Sequence, residues 1–462
     1  MSTSLAEKIT VVQPQPERIK MKEKVGYATG DLACNFIYQT VSSYLLFFYT
    51  DVFGITAAAA GLMFLVVRLI DAVLDPFIGA VIDKTNSKYG RFRPYLLYGA
   101  FPFAGVAILC FTTPGFSDPM KLVYAYATYI LLSITYSVIN IPYAALTSAI
   151  TQDNKEVVSL TSVRMLFGNM GGLIVSFGVP LLAGIFTNMT GETGSGWQIT
   201  MTIMGITGAF LLLFSFYNTK ERVPLNHSKE AEINFKDIWV QLKTNRPLLI
   251  VCFFFILNFG VNSIVNSVGI YYVTYNVARP ELVKWYGLMG TLPALILMPL
   301  MPMMYKWMGK KKLLFTALGL KAIGLIALFL IPPTMVPLVF AGRLIAALGT
   351  ITAGAFTWAL IPETIDYGEY KTGKRASGII YALVGFFFKF GMAIGGIVPG
   401  LLLANFGYIA NQAQTSEALH GILITMTVIP VVFVIIELGM IFLYNLDEKE
   451  HKRILSVIKS RG

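Results

Sequence analysis

The sequence contains little charge for its length. Of its 462 residues only 13% are charged, whereas 55% are hydrophobic. Soluble domains carry about 25% charged residues, and a chain with so few could not cover its own surface with polar groups. The composition therefore excludes an ordinary soluble domain and indicates a protein immersed in lipid.

Cysteine and histidine are also scarce. The three cysteines, Cys34, Cys110 and Cys252, all fall in apolar stretches, which argues against a disulfide framework. The three histidines lie far apart in the sequence, and neither an HExxH nor a GxSxG motif is found. Because a hydrolase would need a metal cluster or an activated nucleophile, we predict that the chain is not an enzyme.

A nucleotide-binding loop is missing as well. Gly368, Gly373 and Lys374 fit the spacing G-x-x-x-x-G-K. However, Arg375 occupies the place of the Ser or Thr that would bind magnesium, and we predict no strand before this segment. We therefore expect no cofactor and no energy from ATP hydrolysis.

Long apolar runs, in contrast, are abundant. About 20 apolar residues cross the hydrocarbon core as a helix, and the sequence predicts about twelve such spans in two sets of six. The predicted fold is an all-α membrane protein of two six-helix bundles. The predicted segments are an N-terminal tail (1–24), a first bundle (25–217), a middle loop (218–246), a second bundle (247–445) and a C-terminal tail (446–462).

Lys and Arg are distributed unevenly between the segments that connect the spans. If both termini are cytoplasmic, 28 of the 36 basic residues fall in cytoplasmic segments, and the opposite loops hold only Lys121, Arg279 and Lys284. This bias predicts cytoplasmic tails in a multi-pass protein of the cell inner membrane. The net charge of +11 then reflects topology and contact with anionic membrane lipids, not nucleic-acid binding.

A few charged residues nevertheless lie within the predicted spans. Arg68, Asp71 and Asp75 fall at i, i+3 and i+7 of the second span and so share one helical face. A charge in hydrocarbon is costly, so it usually faces a cavity. Two carboxylates one turn apart can bind a small cation such as Na⁺ or share a proton, and Arg68 can neutralise one of them. The alternative is an ion-pair cluster that only locks helices together.

Each predicted bundle also places a basic residue within a span. Arg164 opens the fifth span and Lys389 lies inside the eleventh. Both side chains carry several hydrogen-bond donors that can hold sugar hydroxyl groups, although snorkelling to the membrane surface is the alternative. Arg343 and Glu437 also lie within spans, where a structural role suits them as well as a functional one.

Uncharged polar residues recur in the middle of two spans. Amide and hydroxyl groups beside aromatic rings suit the binding of a sugar. In the first span these residues are Asn35, Tyr38, Gln39 and Tyr44, and in the fourth span they are Tyr136, Ser137, Asn140 and Tyr143.

Several motifs resemble those of a known transporter family. The segment GAVIDKTNSKYGRFRPYL resembles the gating motif of the major facilitator superfamily. Together with YTDVFG, RLIDAVLDP, VNIPYAAL and ETIDYGEYKTGKR, it is similar to the glycoside–pentoside–hexuronide:cation symporter family, from about residue 24 to residue 445. The resemblance implies the major facilitator fold, alternating access to a substrate near the bilayer midplane, and a monomer.

The resemblance also implies roles for individual residues. Asp71 and Asp75 match the acids that bind the coupling cation, H⁺ or Na⁺, and Ser137 matches a hydroxyl that assists them. Arg164 matches the sugar-site arginine of the family, and Lys389 matches its eleventh-helix lysine. The predicted substrate-binding set is Asn35, Tyr38, Asn140, Tyr143, Arg164 and Lys389.

The sequence departs from the melibiose carriers of this family at three telling positions. Asn35 and Asn140 stand where those carriers have aspartates, which favours a xyloside-like or glucuronide-like sugar. Leu74 stands where they have an asparagine in the cation site, and the loss of that oxygen ligand favours a proton over sodium.

Charged residues at the cytoplasmic ends of the spans predict an inner gate. Residues of the first bundle would form ion pairs with acids of the second when the carrier faces outward, although these charges could serve only to set topology. The residues of the first bundle are Asp83, Arg91 and Arg93, and the acids of the second bundle are Glu363, Asp366 and Glu369. Arg68 belongs to the same predicted set of ion-pairing residues, but it lies inside the first bundle, near Asp71 and Asp75.

Taken together, these patterns predict a secondary transporter that imports a sugar with a cation. One alternative is a cation-coupled carrier of a lipid or another amphiphile. A non-transporting sensor is the other alternative, but neither predicted tail is long enough to hold a signalling domain.

Overall fold

The structure is a computed structural model that describes residues 19–151, 153–223, 235–374, 376–444, 446 and 448–461. Over these residues the chain forms α-helices, and its only β-type pairing is an isolated bridge between Ser87 and Gly90. The prediction of an all-α fold is therefore confirmed.

The first part of the chain forms six long helices, all rich in apolar residues. They are α1 (Met21–Phe47), α2 (Ala57–Lys84), α3 (Arg93–Cys110), α4 (Asp118–Ile150), α5 (Asn154–Thr190) and α6 (Thr193–Asn218). A five-residue π-helical turn, Phe48–Val52, extends α1.

The second part of the chain mixes long and short helices. They are α7 (Phe235–Thr244), α8 (Arg246–Tyr271), α9 (Val283–Thr291), α10 (Pro293–Leu330), α11 (Val336–Ala359), α12 (Ile361–Thr372), α13 (Ser377–Asn405), α14 (Ser416–Met426), α15 (Val428–Leu443) and α16 (Glu448–Arg461). A second π-helical turn, Tyr272–Asn276, extends α8, so the first long helix of each part ends in the same way.

Local sequence signals fix several helix ends. Thr56, Asn245 and Thr415 each accept a hydrogen bond from a backbone N–H in the first turn of α2, α8 and α14. Gly373, with φ of 71°, ends α12. Within α10, Gly309 has φ of 68°, a conformation that costs little without a Cβ, and it breaks the helix there.

Ten segments of the described chain are long and apolar enough to cross a membrane. Many large apolar side chains on them point outward, among them Phe77, Trp307 and Phe442, each at least 67% exposed. Water-soluble monomers rarely expose apolar surface on this scale, whereas lipid covers it at no cost. The chain is accordingly a multi-pass membrane protein.

The helices pack as two groups, α1–α6 and α8–α15, which meet where α2 faces α13, α5 faces α9 and α1 faces α8. On the α2–α13 seam, Gly61, Gly396 and Gly400 permit close approach, since a Cβ on Gly61 would lie 3.0 Å from the Cα of Gly400. We call the end of the bundle where α1 begins and α6 ends the tail end, and the end that holds both π-helical turns the far end.

In three places the structure has helix within the segments predicted as tails or middle loop. Helix α7 lies within the predicted middle loop, α16 lies within the predicted C-terminal tail, and α1 begins at Met21, inside the predicted N-terminal tail. These stretches mix polar and apolar residues. A search for long apolar runs therefore does not detect them as helices.

Candidate functional site

Lys389 of α13 crosses the seam to the two carboxylates of α2. Its Nζ lies 3.4 Å from Oδ2 of Asp71 and also contacts Oδ2 of Asp75. Nη1 of Arg68 is 3.5 Å from the same oxygen of Asp71, and the Ser137 hydroxyl of α4 donates to Oδ1 of Asp71 at 3.1 Å. We call these five residues the seam cluster. Its two cations and two carboxylates sum to zero charge.

Members of the seam cluster differ in their access to solvent. The side chain of Asp71 is only 4% exposed, whereas those of Asp75 and Lys389 are 23% and 29% exposed. Oδ1 of Asp75 makes no hydrogen bond to the described part of the chain. The carboxylate of Asp75 therefore keeps one acceptor atom for a proton or a cation.

A cavity of about 430 Å³ lies between α1 and α5 on one side and α8 to α11 on the other. Its volume falls within the range of small-molecule sites. Its apolar surface includes the rings of Phe259 and Trp358 and several aliphatic side chains. Its polar wall consists of Asp31, Asn35, Gln39, Asn169, Asn262, Asn266, Thr291, Arg343 and Thr350.

Of the predicted substrate residues, Asn35 lines this central cavity. Its Nδ2 donates to the carbonyl of Asp31 at 2.9 Å, and its Oδ1 accepts from Nε2 of Gln39 at 3.3 Å. Tyr38 lies outside the lining of the cavity. Its ring stacks on Tyr136 with centroids 5.5 Å apart, and its hydroxyl contacts the sulfur of Met392.

Other predicted substrate residues lie behind the cavity wall. Tyr143 is 1% exposed; its ring stacks on Tyr27 at 4.8 Å, and its hydroxyl donates to the Tyr27 carbonyl at 2.7 Å. Arg164 reaches the Tyr27 hydroxyl at 3.5 Å, while Asn140 is half-buried on α4 outside the lining. Lys389 joins the seam cluster instead. The roles predicted for these residues stay predictions.

Sequence reasoning did not single out Asp31. The predicted first span starts only a few residues before it, so a charge there looks like part of a membrane-surface segment. Because α1 begins at Met21, Asp31 instead lies about 15 Å along the helix, on the cavity wall. Gly168 of α5 leaves room for it, since a Cβ there would collide with the Asp31 carboxylate.

Several contacts of the predicted gate residues at the tail end stay within one part of the chain. The backbone N–H groups of Arg91 and Arg93 donate to the Glu221 carboxylate at 2.8 and 2.9 Å. Asp366 lies 3.0 Å from Nε2 of His451 in α16. Glu363 contacts Lys310 and accepts from Tyr444, and Glu369 lies in α12 near them in sequence. The side chain of Asp83 lies outside the described residues. Pairing across the groups stays a prediction.

At the far end, Asp51 joins the two groups. Its Oδ1 accepts hydrogen bonds from the hydroxyls of Tyr408, at 2.6 Å, and Tyr275. Its Oδ2 accepts from Thr50 at 2.5 Å, and its carbonyl accepts from Nδ2 of Asn411 at 2.5 Å. Because three of these donors belong to the second group, the contacts close the far end of the bundle.

A second buried ion pair lies within the second group alone. Nζ of Lys321 in α10 is 3.5 Å from Oε2 of Glu437 in α15, and it donates to Oδ1 of Asn258 in α8 at 2.9 Å. Both charged side chains are 0% exposed. We call these three residues the dry cluster.

Comparisons with known proteins agree with this architecture. A family model described as MFS/sugar transport protein matches residues 26–448. The chain is 62% identical over 445 residues to the uncharacterized symporter YnaJ of Bacillus subtilis (strain 168), covering 96% of each chain. It is 37% identical over 441 residues to the isoprimeverose transporter of Lactiplantibacillus pentosus, covering 94% of this chain and 91% of that one.

Solved structures share the fold at much lower identity. One is a bacterial homologue of the human lysosomal transporter Spinster in its inward-facing, unoccupied conformation. It matches with a TM-score of 0.67 at 16% identity, covering 92% of this chain and 97% of that one. The family match spans nearly the whole chain and agrees with the motifs of the glycoside–pentoside–hexuronide symporters. This chain therefore belongs to the family of MFS/sugar transport proteins, and it is a membrane transporter rather than an enzyme.

Proposed function

We propose that the chain is a cation-coupled sugar symporter that works as a monomer by alternating access. The observation that carries this proposal is the contact of Lys389, from one helix group, with Asp71 and Asp75 of the other. The ammonium group of Lys389 contacts the carboxylate oxygens that would bind a coupling cation. A cation that binds there must displace Lys389, and this displacement would loosen the seam between the two groups.

The proposed topology has twelve spans and cytoplasmic termini. To the ten segments counted above, the 27-residue helix α1 adds one. The break at Gly309 divides the 51-residue segment Pro280–Leu330 into two. The distribution of Lys and Arg favours placing the tail end in the cytoplasm. The two bundles are then 25–217 and 247–445, and the far end, closed by Asp51, faces outside.

In the proposed mechanism, protonation and ion pairing compete at Asp75. A proton on Asp75 removes one of the two charges that hold Lys389 and so weakens its attachment to α2, and the ammonium can then turn toward the cavity and donate to a sugar hydroxyl. Binding of the cation and binding of the sugar then favour the same arrangement, which is thermodynamic coupling. Ser137 and the two carboxylates could also supply oxygens to Na⁺, but Leu74 adds none, so a proton is favoured.

The cavity supports a sugar as the transported molecule. Amide groups both donate and accept hydrogen bonds, which suits neighbouring hydroxyls, and the rings of Phe259 and Trp358 offer flat apolar surfaces. One relative is named an isoprimeverose transporter and another a glucuronide carrier protein homolog, and a xyloside-like or glucuronide-like substrate is therefore favoured. A lipid or amphiphile is less well supported, because amide and charged side chains from both helix groups face the cavity.

Transport by the purified protein in lipid vesicles tests the proposal. We expect a xyloside or glucuronide to accumulate inside vesicles when an inward proton or sodium gradient is imposed, and accumulation to collapse when that gradient is dissipated. Vesicles without protein provide the control. Accumulation that persists without either gradient would contradict symport, and lipid movement without sugar uptake would favour the amphiphile alternative.

A further inference from the structure

Arg343 of α11 is buried in the middle of the bundle without an acidic partner. The residue is 6% exposed. Nη2 donates to Oδ1 of Asn266 at 3.1 Å, and the guanidinium carbon lies 5.2 Å from the ring centroid of Tyr286. Nε makes no hydrogen bond to any described residue.

Three of the other basic residues within the spans form ion pairs. Arg68 and Lys389 lie within 4 Å of Asp71, and Lys321 lies 3.5 Å from Glu437. Asp31 lies on the cavity wall and interacts electrostatically with Arg164. Within the part of the chain that the structure describes, Arg343 therefore adds an uncompensated positive charge.

The surroundings of Arg343 aim its guanidinium at the cavity. Its side chain lines the central cavity, beside Asn262 and Asn266 of α8. Gly290 of α9 makes room for it, since a Cβ there would lie 3.0 Å from Nε and closer still to Nη2. The guanidinium carbon lies over the ring of Tyr286, and the edge of the guanidinium group carries several N–H donors that can bind a ligand.

We propose that Arg343 is a specificity-determining residue that binds an oxyanion substituent, such as a carboxylate, on the transported sugar. The proposal rests on the sugar-transport function above. An unpaired buried charge costs several kcal/mol, and hydroxyl groups of a neutral sugar offset this cost only in part. A carboxylate offsets it fully and matches the guanidinium edge with two parallel hydrogen bonds. The cavity therefore selects acidic sugars over their neutral counterparts.

Two ligands that differ only in this substituent test the proposal. We would measure the binding of p-nitrophenyl β-glucuronide and p-nitrophenyl β-glucoside to the purified full-length protein by calorimetry. We expect the parent protein to prefer the glucuronide. Arg343→Gln should weaken glucuronide binding by at least about 10-fold to 100-fold, since even one charge-assisted hydrogen bond accounts for that much, and leave glucoside binding within about threefold. Arg343→Lys keeps the positive charge but not the two parallel N–H donors, so it should weaken glucuronide binding less than Arg343→Gln does.

The control and the readout separate specificity from folding. Arg279→Gln removes a basic residue from an exposed segment and should leave both affinities unchanged. The ratio of the two affinities within one preparation does not depend on how much of it is folded. Equal loss of both ligands in Arg343→Gln, or a parent that prefers the glucoside, would overturn the role of Arg343 and leave sugar transport standing. If a wide panel of sugars fails to bind or be transported, both proposals are wrong.

Discussion

The seam cluster and the dry cluster are both built from buried ion pairs, but they differ in access and in what they join. In the seam cluster, Lys389 and Asp75 keep more than a fifth of their side-chain surface exposed, and the contact joins the two helix groups. In the dry cluster, Lys321 and Glu437 are 0% exposed, and both belong to the second group.

This difference indicates which ion pair can change partners. An ion pair without water around it cannot exchange a partner unless both charges stay compensated, because each bare charge costs several kcal/mol. Where water reaches the pair, a proton or a cation can enter and the displaced ammonium can be solvated. We infer that the seam cluster takes part in the transport cycle and that the dry cluster holds three helices together.

Removing a carboxylate from the seam cluster should have the largest effect on transport. Asp75→Asn and Asp71→Asn each leave Lys389 with one acidic partner and take away half of the cation site. We expect both variants to lose accumulation of sugar against a gradient and to keep exchange of sugar between the two sides. Uptake and counterflow in vesicles measure these two activities separately. Parent-like accumulation by both variants would show that the cation binds elsewhere.

Breaking the dry cluster should affect stability and spare coupling. Lys321→Met leaves Glu437 buried and unpaired, and we expect the free energy of unfolding to fall by about 3–5 kcal/mol. The double variant Lys321→Met/Glu437→Leu removes both charges and should recover most of that loss. Thermal unfolding in detergent measures the effect, and vesicle uptake is the control. A stable double variant that no longer accumulates sugar would place the dry cluster in the transport cycle.

Asp51, a buried carboxylate outside both clusters, sharpens the comparison, because Tyr275 and Tyr408 of the other helix group hold it with hydroxyls instead of cations. Asp51→Asn should weaken the hydrogen bonds from Tyr275 and Tyr408 by about 1.5–3 kcal/mol in total. The population of molecules whose far end is open should therefore rise. Spin labels at Ser117 and Gln412, both exposed, would report a longer distance by pulsed electron resonance. An unchanged distance distribution would mean that other contacts hold this end closed.

Sequence reasoning identified the parts of the site that depend on one helix. Arg68, Asp71 and Asp75 lie on one face of α2 because their spacing follows the helical repeat, and the structure finds them together. The apolar runs likewise predicted long membrane helices. Both results follow from local sequence patterns, helical spacing in the first case and the length of an apolar run in the second, and a single sequence contains both.

The remaining features depend on packing between distant segments. Lys389 is 314 residues from Asp75, and it reaches the acid pair because glycines bring α2 and α13 close together. Periodicity gives no information about such contacts. For the same reason, nothing in the sequence shows that the Tyr143 hydroxyl is used by the backbone of α1, or that Asp31 faces the cavity.

The dry cluster also has a consequence for biosynthesis. Lys321 and Glu437 are separated by 116 residues, and ribosomes add about 5–20 residues per second. About 6–23 s therefore pass between the synthesis of Lys321 and that of its partner Glu437. During this interval Asn258, which is made earlier, can hold the ammonium group with one hydrogen bond. The second helix group can therefore complete its core only after α15 has entered the membrane. A chain that ends before α15 would keep an exposed charge in lipid, a feature by which quality-control proteases could recognise an unfinished transporter.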